Sequence, residues 1–262
     1  MLTALLRREG QVVNHKRVLR LMREDNLLSL RRKKYVFTTD SRHNWPIYPN
    51  LARHATLTGM NQLWVADITF IRLGSEFIYL AVVLDAYSRR VIGWKLGRTL
   101  HAELAIGALH MALSQRKWKA EGLIHHSDQG VQYASSEYTE TLQRCEIQIS
   151  MSRRGNPYDN ARAERFMRTL KEEEVHGTDY RDLEDARSRI GEFLEQVYNR
   201  QRLHSALRYL TPEEFEQANE GRGSDGTDGS GGKPTTGLPP LPQTLEIPPG
   251  FPHSHGSAAA YP

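Results

Sequence analysis

Apolar residues in the middle of the chain gather in three runs that predict strands. LWVADITFI at 63–71, FIYLAVVLDA at 77–86 and RRVIGWKL at 89–96 are rich in β-branched and aromatic residues, with short polar or Gly-containing segments between them. The spacing predicts three consecutive antiparallel strands. The period then lengthens, and over 102–117 Leu104, Ala105, Ala108, Leu109, Ala112 and Leu113 follow one helical stripe. A short strand, GLIHH at 122–126, a helix over about 135–144 and a strand, IQIS at 147–150, come next. The segment MSRRGNPYDN at 151–160 contains Gly155 and Pro157 and reads as a loop, and helices follow at roughly 161–174 and 182–199.

A three-strand meander followed by helix, strand, helix, strand and helices predicts an α/β fold. The expected architecture is a mixed five-stranded sheet flanked by helices, in the ribonuclease H-like order of elements. Ahead of it, Leu2, Leu5 and Leu6 mark a short helix ending at Glu9 and Gly10. Asn14 is suited to cap a second helix whose Val18, Leu19 and Met22 face inward, with Leu27 and Leu28 closing a small helix-turn-helix unit. Lys16, Arg17, Arg20 and Arg23 then lie on the face that a recognition helix presents to the major groove. Any small helical hairpin with a charged face has the same pattern.

Composition divides the chain more sharply than periodicity does. Residues 1–54 hold twelve Lys or Arg against four Asp or Glu, a net +8, which leaves −4 for the remainder of a chain whose total is +4. A basic unit on a near-neutral body points to a polyanion partner, because cations that neutralise phosphates release counterions. The run Arg31, Arg32, Lys33, Lys34, followed by Tyr35 and Phe37, reads equally as a linker along a phosphate backbone or as a solvated loop. Residues 219–262 are rich in Gly, Pro and Ser, with too little apolar surface to offset the entropy of ordering, and are expected to be a disordered tail. The expected domains are therefore 1–54, 55–218 and 219–262. A single cysteine, Cys145, excludes an internal disulfide framework and fits a reducing compartment. No signal peptide or membrane-length apolar run occurs, so a cytoplasmic, nucleoid-associated protein with no membrane partner is expected.

Three acids carry the candidate chemistry. Asp67 interrupts an otherwise apolar strand, where a carboxylate is costly unless it is paired or bound to metal. Asp128 follows the fourth strand in HHSDQG, and Glu164 opens the helix beginning near Ala161. Thirty-five residues separate Asp128 from Glu164. Hard cations such as Mg²⁺ favour carboxylate oxygens, so three acids can hold two ions that serve an in-line phosphoryl displacement, and Mn²⁺ is a plausible substitute. Glu164, Arg168 and Lys171 repeat at i, i+4 and i+7 along one edge of their helix, while Ala163, Phe166, Met167 and Leu170 form its apolar stripe. A surface ion pair between Glu164 and Arg168 is the bland alternative.

The spacing and the blocks LWVADITFI, HHSDQGVQY, MSRRGNPYDNARAERFMRTLKEE and YNRQRLHSALRYLTPEEF resemble the second-frame transposase of insertion sequence family three, which has a retroviral-type DDE integrase core. The resemblance covers about residues 1–217. It implies metal-dependent DNA strand cleavage and strand transfer, with Asp67, Asp128 and Glu164 as catalytic metal ligands. It further implies DNA contact by Lys171, terminal inverted repeats and target DNA as partners, a homo-oligomer working on paired ends, and an upstream-frame protein joined by frameshifting. Two other classes compete: a DNA-binding regulator that has lost catalysis, and a hydrolase of RNA–DNA hybrids. Retention of all three acids speaks against the first, and the basic amino end with Lys171 against the second.

Several neighbours have lesser claims. His125 and His126 are close in sequence to Asp128 but suit structural roles, and Asp85 is expected to begin a turn. Asn156, Asp159 and Asn160 are expected to shape the loop and cap the helix that carries Glu164. Asn199, Arg202 and His204 fall in the YNRQRLH block, without a role readable from the residues themselves.

Overall fold

The computed structural model describes residues 2–25, 45–115, 122–153 and 156–220. Leu27, Leu28, the basic run at 31–34 with Tyr35 and Phe37, and the tail from 221 onward lie outside the described residues. At the amino end, helices α1 (Leu2–Arg8) and α2 (His15–Glu24) are joined by a turn that holds Gly10 at φ +81°. Asn14 caps α2 as expected, its side chain accepting from the Lys16 N–H at 2.9 Å. Of the expected inward trio, Val18 is buried and Met22 is half-buried, whereas Leu19 is 39% exposed. A ten-residue helix against a seven-residue one covers a narrow stripe, too narrow for three side chains. Lys16, Arg17, Arg20 and Arg23 are exposed, with Arg20 3.5 Å from Glu24.

The sheet follows the predicted order. Strands β1 (Leu63–Leu73), β2 (Glu76–Asp85) and β3 (Val91–Gly97) form the antiparallel meander, and α3 (Ala102–Gln115) leads to β4 (Ile124–Ser127). The predicted helix near 135–144 is α5 (Ser136–Arg144), and a short helix with no predicted counterpart, α4 (Val131–Ala134), precedes it across Ser135. Strand β5 (Gln148–Met151) then completes a sheet of order β3-β2-β1-β4-β5, with β4 parallel to both β1 and β5.

Helices cover both faces, so the central strands are apolar nearly throughout rather than alternating. Leu63, Val65, Ile78, Leu80 and Val82 pack on one side with α6 (Ala161–Leu170) and α7 (Leu183–Glu192). Trp64, Ala66, Ala81 and Val83 pack on the other with α3 and α5. Helix α3 lies so close to β3 that a Cβ on Gly93 would meet the Ala108 carbonyl oxygen at 2.2 Å. The two predicted carboxy-terminal helices change pitch: α6 runs into a π-helical turn at Lys171–Val175, and α7 into a π-helical stretch at Phe193–Gln201. One more helix, α8 (Pro212–Glu220), has no counterpart among the predicted elements and passes the expected boundary at 218. Its Glu214 pairs with Arg8 of α1. Among the described residues, no helix is long and apolar enough to cross a membrane.

Candidate active site

The parallel register of β1 and β4 brings the first two acids together. Leu63 pairs with Ile124, Trp64 with His125 and Val65 with His126. Continued two residues, that register sets Asp128, just past the carboxyl end of β4, beside Asp67 midway along β1, on strands about 4.8 Å apart. Carboxyl edges are where sheets with helical crossovers place their ligands. Asp67 accepts the Ile68 N–H at 2.8 Å, and Asp128 accepts the Gly130 N–H at 2.9 Å, which folds the start of α4 back over the strand end.

Glu164 arrives on α6, and a residue that the sequence suggested as a helix cap does the positioning. Asn160 makes no capping bond; its side-chain amide donates 3.0 Å to the Ala66 carbonyl, one residue before Asp67. The start of the helix is thereby clamped to the strand that bears the first acid. Asp159 takes Arg153 instead, through Nε at 3.0 Å and Nη2 at 3.1 Å, which holds it down to about 2 and closes the preceding loop. Ala163, Phe166, Met167 and Leu170 are buried as expected, and Glu164 and Lys171 are half-buried on one edge. Arg168 on that edge is exposed.

The three acids share one electrostatic field. Burial first, then Asp128, and to a lesser degree Glu164, push Asp67 up to about 8; the Ile68 N–H and Lys171 pull the other way. The Lys171 ammonium stands 4.7 Å over the Phe70 ring, and its pKa is lowered by burial against the opposing pull of Asp67. The three carboxylates offer hard oxygen donors of the kind that suit Mg²⁺ or Mn²⁺. Among the described residues, no three acidic, imidazole or thiol groups stand close enough to ligate an ion as they are placed. Closing the set requires movement of a side chain such as Glu164, whose torsions allow several staggered positions.

Both histidines serve the frame. His125 Nε2 lies 2.9 Å from the Tyr138 hydroxyl and His126 Nδ1 lies 2.8 Å from Ser150 Oγ, pinning β4 to α5 and β5. Burial, aided by His126, takes His125 down to about 3, so its ring is neutral. Asp85 begins its turn as expected, accepting the N–H groups of Tyr87, Ser88 and Asn61. Asn199 brackets Val91, accepting its N–H at 3.0 Å and donating to its C=O at 2.9 Å. Arg202 is paired with Glu173, and His204 packs edge-on against Tyr198. Lys16, Arg17 and Arg20 sit on α2, and among the described residues no contact joins them to the acids.

One neighbour of the acids escaped the sequence reading. The Tyr133 hydroxyl is buried with no hydrogen-bond partner among the described residues, and its pKa is raised well above normal by burial first, then by Tyr138, Asp67 and Asp128. A tyrosine five residues after an acid carries no local signal of this kind, since the meeting depends on how α4 folds back.

Known proteins share this chain's fold and much of its sequence. Residues 58–157 and 145–212 each match an integrase core domain, and residues 1–35 match an HTH-like domain. The chain is 39% identical over 219 residues to transposase InsF for insertion sequence IS3A of Escherichia coli (strain K12), covering 83% of this chain and 76% of that one. It is 38% identical over 213 residues to the insertion element IS600 uncharacterized 31 kDa protein of Shigella sonnei, covering 81% and 78%. A chain in the simian T-cell lymphotropic virus intasome complexed with PP2A regulatory subunit B56 gamma shares the fold, with a TM-score of 0.50 at 17% identity over 80% of this chain and 66% of that one.

Proposed function

The chain belongs to the IS3-family transposases, enzymes of the DDE polynucleotidyl transferase class with an integrase core, and on that premise we propose that Asp67, Asp128 and Glu164 are its catalytic metal ligands. The observation that carries the assignment is the shared field at Asp67, which feels both other acids and is pushed up to about 8. Like charges gathered at a strand edge are costly without a cation. When bound, a pair of Mg²⁺ ions supplies Lewis acidity to the attacking oxygen and to the departing 3′ oxygen.

The chain's own groups position the reactants. Lys171, and Arg168 one turn before it, bind phosphate oxygens along the edge that carries Glu164, and Asn160 holds that helix against β1. Water attacks the phosphorus at the element end and the bond to the 3′ oxygen breaks, leaving a 3′ hydroxyl and a 5′ phosphate. That hydroxyl then attacks a target phosphodiester, one P–O bond forming as another breaks, so no external energy source is consumed. Lys16, Arg17 and Arg20 contact DNA from α2, and the enzyme acts as a homo-oligomer on paired inverted-repeat ends, alongside any upstream-frame protein.

The test uses the full chain, labelled terminal-repeat DNA and Mg²⁺ or Mn²⁺. Nicked and joined products are expected from wild type and should vanish with Asp67→Asn and with Glu164→Gln. Wild-type rates in either variant would remove that residue from the site.

A further inference from the structure

The flank of α6 that faces away from the acids carries a second cluster of charge. With about 100° between successive residues, Arg162 lies about 160° around the helix from Glu164, and Arg165 lies about 100° from it. Both are exposed, beyond the buried stripe. The turn between β2 and β3 is brought to the same flank through the π-helical stretch after α7. There Tyr198 stacks edge-on against Phe166 of α6 at 4.9 Å, and the adjacent Asn199 brackets Val91. Arg89, two residues before Val91, is held at φ +62° with its N–H donating to the Asp85 carbonyl at 2.9 Å.

Several other arginines of the fold pair with carboxylates. Arg90 takes Glu216, Arg153 takes Asp159, Arg181 takes Asp185 and Arg202 takes Glu173. Arg89, Arg162 and Arg165 have no ion-pair partner among the described residues, and they repel one another: burial first, then Arg162 and Arg165, lower the pKa of Arg89. Asp85 is the acid that acts on Arg162, but it is 1% exposed and both its oxygens already accept backbone N–H groups. Three guanidinium groups collected without an anion form a site that lacks its ligand. A phosphodiester, with one negative charge and two oxygens suited to forked arginine donors, supplies what the cluster lacks.

We propose that Arg89, Arg162 and Arg165 bind a phosphate of the DNA backbone on the side of α6 opposite the acids, so that nucleic acid grips the catalytic helix on two flanks. The proposal rests on the transposase reading and extends it to residues that the acid-bearing edge does not include. Because the contact is with phosphate, it is independent of sequence.

The experiment is fluorescence anisotropy of the full chain with a labelled duplex of unrelated sequence, without metal, across a fourfold range of salt. Each phosphate contact contributes about 0.9 to the slope of log K against log salt, equivalent to about 3.5-fold in affinity over that range. Arg162→Ala/Arg165→Ala should therefore lower the slope by about 0.9, the share of that one phosphate, with Arg89→Lys reducing affinity at a matched melting temperature. Arg181→Ala, which removes an arginine already paired, should leave the slope within about 0.3. An unchanged slope in the double variant, with wild type still binding, overturns the cluster and leaves the transposase reading intact. Failure of the wild type to bind DNA overturns both. Inorganic phosphate titrated at constant ionic strength should displace the duplex only weakly; if it saturates and abolishes the arginine dependence, the cluster is a free-anion site and the DNA assignment falls.

Discussion

Replacing Asp67 by Asn should stabilise the metal-free protein, by an amount that grows with pH. Burial and the neighbouring acids raise this carboxyl from 3.8 to about 8. A carboxyl raised on folding leaves stability intact below about pH 4; stability then falls as the pH climbs towards 8, because the unfolded chain sheds its proton first. Linkage over that interval gives a ceiling of about 4 kcal/mol at pH 7, and partial exposure of the carboxylate to water reduces the expected penalty to about 1–2 kcal/mol. Asparagine keeps the oxygen that accepts the Ile68 N–H and discards the charge. Urea unfolding of both proteins in EDTA, from about pH 5 to about pH 8.5, should show the advantage of the variant widening with pH. Mg²⁺ at about a hundred times its Kd should then add about 2.7 kcal/mol to wild type alone and reverse the order. A difference that stays flat with pH, or a variant less stable than wild type at pH 8, would refute the crowding of charge around Asp67.

Three further substitutions probe the frame. Gly93→Ala places a methyl group 2.2 Å from the Ala108 carbonyl oxygen and 2.7 Å from the Ala112 nitrogen; a loss of about 3 kcal/mol or more is expected in chemical denaturation, since both neighbours are backbone. Asn160→Ala should cost about 1–3 kcal/mol and lower the rate of strand cleavage while leaving the Kd for DNA unchanged, a split visible when single-turnover rates and binding are measured on the same preparation. Asn199→Ala strands both polar groups of Val91; a loss of about 2–4 kcal/mol in urea is expected, and a loss under about 0.5 would mean that water replaces the side chain.

The strands, the stripe of α6 and the 35-residue interval were readable from the chain, because burial on a sheet and on a helix imposes periods of two and 3.6 on neighbouring residues. Asp67 announced itself in the same way, as a charge inside an apolar run. Helix α8 gave no such signal, since it buries only Pro212 and Phe215 and takes its place through Glu214 and Glu216 pairing with distant arginines. The choice of Asn160 between capping its own helix and clamping Ala66 depends on a strand ninety-four residues earlier. The inward face assigned to Leu19 failed for the converse reason: periodicity shows which side of a helix is apolar, and only the partner's width decides how much of that side is covered. Local order along the chain thus determined the elements and named the acids. Packing between segments far apart decided that Asp67 shares its field with two other carboxylates, that Tyr133 lies near them, and that Arg89 faces Arg162 and Arg165. Such meetings follow from the register of β1 on β4 and the seating of α6, and free energies of that kind are set by contacts that no short window of sequence contains.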